Sequence, residues 1–491
     1  MTRTSILFTL AVVASTTTAS ADPEVATTDT RGSGATEVTP PPPPPTPPPP
    51  RGRDVTAADV ANAPLPGFES GRLDELDSDS TLRVIGRGAL FPPKILVDAA
   101  LWPFHGALWA SERYDLENLY YRTFFNADRT IGLFPTAAYE AGYGFSAGAG
   151  FVHRDVFGEH ERLSLQATSG VVVGVTSIVD TRGSFRTGDR LGWLELGIEG
   201  NYDHRPGRDF YGIGNGDLTV AGATPIDPRT NETAVQARYS YQETRGLVFA
   251  DARLVGALHL RTTGALTDLA FGRGDRGVAI DDAYDPTGLV GFGGVRHAYG
   301  ELELRYDQRH RATTWEPNGL YSRGLLATAF AGRVHRLDSG TDFWRYGFEA
   351  QQFLRLGIGP RVLVVRVHGD AVSGTRGEVP FTELPALGGQ EFLRGYPFER
   401  FRDRVAALGT VEYDWDLSHL LAASVFVDAG RVFPSLGELG VDHLRVGYGA
   451  ALALYKGSGF LLQGSLASSI DGGLFLSVAF NPVFDARPRW R

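Results

Sequence analysis

The sequence predicts an all-β fold, a transmembrane antiparallel β-barrel, and three observations predict it. From about residue 129 onward, apolar and polar residues alternate with a period of two. The polar half of that alternation repeatedly carries charge, as a water-filled lumen permits, and the apolar half carries Tyr, Trp and Phe, as interface girdles do. The first residues of the chain read as an export signal. A soluble β-sandwich would also alternate; the three features together favour the membrane barrel.

Composition narrows the function classes. The 491 residues include no Cys and one Met, so neither a disulfide framework nor a thiolate metal site is available. A net charge of -10 with no concentrated basic stripe argues against nucleic acid as a partner. After the first fourteen residues no apolar run reaches the roughly 18 residues of a membrane-spanning helix. The mean hydropathy is negative, which a barrel tolerates because every second residue faces water.

Taken in order, residues 1–21 match a secretory signal peptide: Arg3 supplies the positive start, Ile6 to Ala14 the apolar core and Ala19-Ser20-Ala21 the small-residue cleavage site. Residues 22–66 are rich in Thr, Ala and Pro, with Pro40 to Pro50 interrupted only by Thr46; they predict a disordered, Pro-rich tether without a core. Residues 67–128 form a helical periplasmic segment. Within it Ile95, Leu96 and Ala99 share one face, Pro103 breaks the chain, and Leu116, Leu119, Tyr120 and Phe124 recur at near-helical spacing. Packing at the barrel mouth and resting on the membrane interface both remain open for it.

Residues 129–485 are assigned to the barrel. Glu301, Glu303, Arg305 and Asp307 alternate with Leu302, Leu304 and Tyr306, and Leu474, Leu476, Val478 and Phe480 form one face of the last strand. Clear strands cover about 130–140, 142–155, 161–176, 188–204, 232–243, 245–262, 295–308, 321–333, 342–356, 359–373, 403–417, 421–432, 442–456, 459–470 and 472–481. A bacterial single-chain barrel has an even strand number, so the expectation is 16 strands, with one more within 171–190 or 258–292. Long connections near 205–231, 263–294 and 309–320 are expected to be extracellular loops. Pro135 inside the first strand and Gly472-Gly473 at the start of the last would weaken the closing pair; the plainer alternative is that Pro135 precedes the strand and Gly472-Gly473 is a turn.

Catalytic motifs fail on context. Gly144-Phe145-Ser146-Ala147-Gly148 fits the G-x-S-x-G nucleophile elbow, but it lies in β alternation with no helix after it. The Gly212, Gly214, Gly216 run opens no helix to hold phosphate. The 11 His residues show no metal-binding spacing. An outer-membrane phospholipase would need Ser, His and a polar partner together on the outer face, whereas His368 falls on the inward set. No enzyme, cofactor or metal is expected.

One stretch departs from the strand pattern, Leu387 to Asp403, LGGQEFLRGYPFERFRD. It is too rich in Gly, Arg and Glu for a lipid-facing strand, yet strands flank it. Downstream come LGTVEYDWDL, whose alternation turns Glu412 inward, and SVFVDAGRVF, which turns Phe426, Asp428 and Gly430 inward. An Arg-Gly-aromatic loop, then an acidic strand, then F-x-D-x-G resembles the barrel region of the BamA/TamA-type outer-membrane proteins, the bacterial surface-antigen family. Arg208 to Asp217, RDFYGIGNGD, is also similar to a sequence recurring in that family.

The resemblance, over roughly residues 90–485, implies sixteen strands with the loop folded into the lumen before strand twelve. It implies that Arg394 meets Glu412, Asp428 or both on the inner wall, with Gly395 turning tightly, Tyr396 packing beside it and Gly430 on the same wall: a structural brace and not a catalytic site. It implies a place in the bacterial outer membrane, among its lipids, and insertion or translocation of polypeptides through a weak seam between first and last strands. Partners would be unfolded outer-membrane proteins or a separate periplasmic protein. The family's periplasmic docking domains mix strands and helices, and no such pattern precedes the barrel here. A passive channel or porin is the alternative.

Overall fold

The computed structural model describes residues 116–479 except 141–143, 171–177, 189–191, 223, 231–232, 275–276, 312–320, 339, 358–360, 418–420 and 457–458. The stretches expected to be an export signal, a Pro-rich tether and the start of a helical segment lie outside the described residues.

Helix α1 (Leu116–Phe124) leads into the first strand. Asn126 makes the corner: its backbone N–H donates to the Ile131 carbonyl at 2.9 Å, and its side-chain oxygen accepts from the Ile131 N–H at 2.9 Å. The rings of Tyr120 and Phe125 lie 6.5 and 5.8 Å from Phe134, which ties this corner to the barrel wall.

The strands are β1 (Ile131–Glu140), β2 (Gly144–His153), β3 (Arg162–Gly170), β4 (Val179–Arg186), β5 (Leu194–Phe210), the short β6 (Asp217–Thr219) and β7 (Thr233–Val235), β8 (Ala237–Val255), β9 (Leu258–Arg273), β10 (Val295–Asp307) and β11 (His310–Arg311). They continue as β12 (Tyr321–Arg336), β13 (Phe343–Arg355), β14 (Arg361–Val372), the short β15 (Ala386–Leu387) and β16 (Phe401–Arg402), β17 (Val405–Asp416), β18 (Leu421–Phe433), β19 (Arg445–Lys456), β20 (Gly459–Ser469) and β21 (Leu474–Ala479). Short β6 pairs with β7 and β15 with β16, outside the main sheet. Because β11 only prolongs β10 along β12, the wall is one antiparallel sheet of 16 strands, each paired with the next. Among the described residues no ladder joins β1 to β21.

The wall is inside-out relative to a soluble protein. Leu133, Leu165, Ile198, Leu302, Phe348, Val411 and Leu476 are exposed on its outer face, while Glu243, Glu301, Arg366, Glu412, Asp414 and Asp428 are buried on the inner one. In water that continuous apolar band would be an association surface; in lipid it is the favourable solvent contact, and the backbone polar groups are satisfied between strands.

Three sequence expectations need correction. The additional strand is β4, inside 171–190, one of the two stretches where it is expected, but the two strands expected over 232–243 and 245–262 are instead β8 and β9, with their turn at Gly256 (φ 56). Polar Gln242 to Arg245 resembles a turn, but Glu243 faces the lumen and the strand runs straight through. Second, strand alternation puts 308–320 at the opposite end of the barrel from 211–236, 274–294 and 373–404, so it is not a fourth long loop of that end. Third, of the two readings of Gly472 and Gly473 the turn before β21 is the one observed (φ 87 and 91), and they are not its first residues.

The end carrying the three long loops holds the largest apolar core. Phe381 comes within 5.3 Å of the Phe210 ring and 5.4 Å of the Tyr239 ring, and Phe210 lies 5.1 Å from Tyr284. Ile280 and Val379 complete the cluster with no exposure. These contacts fix where each loop starts and ends, and so aim the third one.

Candidate functional site

The third long loop, 373–404, joins β14 to β17. Its neck is closed by β15 and β16, where Ala386 pairs with Arg402 and Leu387 with Phe401. Beyond the neck, Leu387, Leu393, Tyr396 and Phe401 are buried with Ala406, Leu408 and Val432 of the wall. Burying a Leu or Phe side chain contributes about 1.5–3 kcal/mol, so this small core alone opposes release of the tip.

Arg394 is aimed from that core at the wall. Its Nε and Nη2 donate to the two carboxylate oxygens of Asp428, each at 2.8 Å, and its backbone N–H donates to Asp428 Oδ2 at 2.9 Å. Nη1 donates to Glu412 Oε2 at 2.6 Å. The guanidinium carbon sits 3.5 Å from the centre of the Phe426 ring, a cation–π contact. Arg394, Glu412 and Asp428 are 4%, 3% and 1% exposed, so solvent screening is slight. Burial by itself would lower the Arg394 pKa, but Glu412 and the bonds to Asp428 outweigh it and raise it above the ordinary value. The fork geometry, two parallel bonds to one carboxylate, is one that a lysine ammonium cannot reproduce.

Two glycines let the loop approach this closely. Gly395 has φ 92, and a Cβ there would lie 2.2 Å from the Ser468 carbonyl oxygen on β20. At Gly447, on β19, a Cβ would lie 1.7 Å from the Arg394 carbonyl oxygen. Loop backbone therefore rests on wall backbone. Gly430 faces Leu387 Cδ1 at 3.1 Å from where its Cβ would stand. The Tyr396 hydroxyl donates to Asp471 Oδ2 at 2.9 Å.

A second clamp holds the loop on β14. The Phe392 ring lies 4.5 Å from His368 and 4.7 Å from the Arg366 guanidinium. Arg366 also donates to the Glu391 carbonyl at 2.8 Å and to Glu349 at 3.0 Å. Phe392→Ala is expected to weaken loop docking by about 1 kcal/mol, the size of a partly desolvated cation–π contact; faster hydrogen exchange at residues 388–393 would register it.

The RDFYGIGNGD stretch meets the same loop. The Gly214 N–H donates to the Arg402 carbonyl at 2.7 Å, Arg400 donates to the Gly216 carbonyl at 2.7 Å, and Asn215 Nδ2 donates to the Val432 carbonyl at 2.7 Å. Two motifs 180 residues or so apart in sequence thus form one assembly. Gly447, Asp471, Phe392 and Arg445 are absent from the sequence-derived set; of these only the inward Gly447-x-Gly449 pair carried a signal. Ser146 lies within β2, as a strand residue without a following helix. Among the described residues no group of three or more His, Cys, Asp or Glu could hold a metal.

Residues 135–468 match the Omp85 superfamily domain, and the chain belongs to that superfamily. Proteins of this superfamily are outer-membrane insertion or translocation barrels and not enzymes. Among solved structures, the chain is similar to BamA from Haemophilus ducreyi lacking POTRA domains 1-3, at 14% identity and TM-score 0.49, covering 71% of this chain and 70% of that one. It is also similar to CdiB from Acinetobacter baumannii (12% identity, TM-score 0.45, 70% of this chain and 57% of that one) and CdiB from Escherichia coli (10%, 0.44, 71% and 61%). The chain therefore spans less than two-thirds of either CdiB. No curated protein sequence matches it.

Proposed function

We propose that this chain is an outer-membrane insertase: a barrel that admits unfolded outer-membrane β-barrel proteins to the lipid through the seam between β1 and β21. The observation that carries the reading is the pair of terminal strands. Each is laddered on one edge and, among the described residues, has no ladder on the other, in a wall that is otherwise continuous. Beyond Gly132, where the Phe125–Gly132 bridge ends, such a strand edge offers a row of N–H and C=O groups to an incoming strand. β1 also contains Pro135, which cannot donate to a ladder.

On this reading the loop is a brace. Arg394 holds it to Glu412 and Asp428, Gly395 allows the close approach and Leu387 rests against Gly430, all on one side of the wall, so that the seam can yield while the rest keeps its shape. Its partners are outer-membrane lipids and unfolded client barrels, with a periplasmic protein delivering them. A passive channel is the lesser reading, because the loop-end core around Phe210, Tyr239, Tyr284 and Phe381 occupies the mouth that a solute would use.

The reading predicts that the purified barrel, placed in liposomes, accelerates insertion of an unfolded client barrel above the rate of protein-free liposomes. Equal rates, together with steady ion conductance, would assign the channel instead.

A further inference from the structure

The terminal hairpin is the least secured part of the wall. β21 pairs with β20 over six positions, Leu474 to Ala479, and has no second ladder among the described residues. Asp471 stands at the turn of this hairpin. Its Oδ2 accepts from the Tyr396 hydroxyl at 2.9 Å and from Arg445 Nη1 at 2.8 Å. Arg445 Nη2 donates onward to Asp217 Oδ1 at 2.6 Å and to the Asn215 carbonyl at 2.7 Å. A connected series therefore runs from the luminal loop, through the terminal turn and the first residue of β19, to the RDFYGIGNGD stretch. The loop touches the last strand as well: Gln390 Nε2 lies 3.5 Å from the Val478 carbonyl oxygen.

Neither contact is needed to dock the loop. Arg394 and the core around Leu387 do that, and the Tyr396 ring is held independently, 5.1 Å from Phe401. What the Tyr396 hydroxyl reaches is the hairpin. Asp471 keeps a side-chain exposure of 40%, so the bond is open to competition from water. A contact of that modest strength suits an element that must release on the timescale of local opening.

We propose that Tyr396 and Asp471 form a latch by which the docked loop keeps the β20–β21 hairpin in place at the seam, so that undocking the loop frees the edge strand. This rests on the reading of the seam as the exit. It assigns Tyr396 and Asp471 as positioning residues for β21, apart from the brace made by Arg394.

The test measures the seam directly, with no client present, so its outcome is separate from whether the barrel inserts polypeptides. The chain has no Cys, which makes site-directed spin labelling clean. Leu133→Cys and Leu476→Cys place labels on the exposed faces of β1 and β21; Leu165→Cys with Val248→Cys gives a reference pair on β3 and β8. In both Tyr396→Phe and Asp471→Ala, the β1–β21 distance distribution is expected to broaden and shift to longer separation while the reference pair stays unchanged. A wild-type seam distribution in both variants would overturn the latch. So would equal broadening of the reference pair, since that reports general loosening.

Discussion

Arg394→Ala is expected to release the luminal loop and to cost about 3–5 kcal/mol of the barrel's stability, the range for removing one partner of a buried charge pair. The cost arises mainly from what remains. Asp428 would lose two side-chain donors and Glu412 one, with both carboxylates almost fully buried, and Asp428 would keep only the backbone N–H of residue 394 while the loop stays docked. Arg394→Lys should recover little, because an ammonium cannot bind both Asp428 oxygens and Glu412 in one plane. Double-mutant cycles of Arg394→Ala with Asp428→Asn and with Glu412→Gln, read by heat-modifiable gel mobility and denaturant unfolding, should each show coupling well beyond the roughly 0.3–0.5 kcal/mol of independent sites. Additive cycles would leave Arg394 without the bracing role.

Gly447→Ala is expected to match or approach the Arg394→Ala effect without touching a charge. The added methyl would meet the Arg394 carbonyl oxygen at 1.7 Å, backbone against backbone, so no side-chain rotation relieves it. Overpacking typically costs about 1–3 kcal/mol, occasionally more, and here the softer escape is for the loop to lift off. Gly447→Ala and Arg394→Ala should therefore be strongly non-additive, since a loop already released cannot be released again. A double variant whose loss equals the sum of the singles would mean the two residues act on different elements. By contrast, Gly464→Ala on the neighbouring β20, where nothing lies within 4 Å of the added carbon, should be close to silent.

How much of this was legible in the sequence differs by element. Period-two alternation with charge on one phase was enough for an all-β membrane barrel, because a strand wetted by lipid on one side and by the lumen on the other has to show both. β10 is the clearest instance, with Glu301 and Glu303 buried while Leu302 and Leu304 face out. β4 is inferred from the even strand number and not from its own alternation, because its outward positions are Val179, Thr181, Gly183 and Phe185, only two of which are strongly apolar. The β8–β9 boundary was misplaced because lumen-facing polar residues look like a turn when only composition is weighed.

At the site, phase tells which residues of β17 and β18 point inward, and the Arg-Gly-aromatic sequence tells which loop could meet them. The path of that loop is a property of the packed core at its neck, and alternation carries no information about it. For that reason Gly447 on β19, Asp471 at the last turn and Phe392 between Arg366 and His368 emerge only from the structure. Asn215 and Asp217 show the same limit: their stretch stands out by its Gly run and its family resemblance, but its contacts with Val432 of β18 and Arg445 of β19 join segments more than two hundred residues apart.

On the proposed function, the β1–β21 seam must open for a client to reach the lipid. Single cysteines placed along 136–140 of β1 and 474–479 of β21, in a chain with no others, can close it reversibly. Oxidising the pair that crosslinks best, in barrels reconstituted into liposomes, should abolish acceleration of client insertion, and reduction should restore it. Insertion that proceeds at the uncrosslinked rate through an oxidised seam would contradict the proposal that polypeptides leave this barrel between its first and last strands.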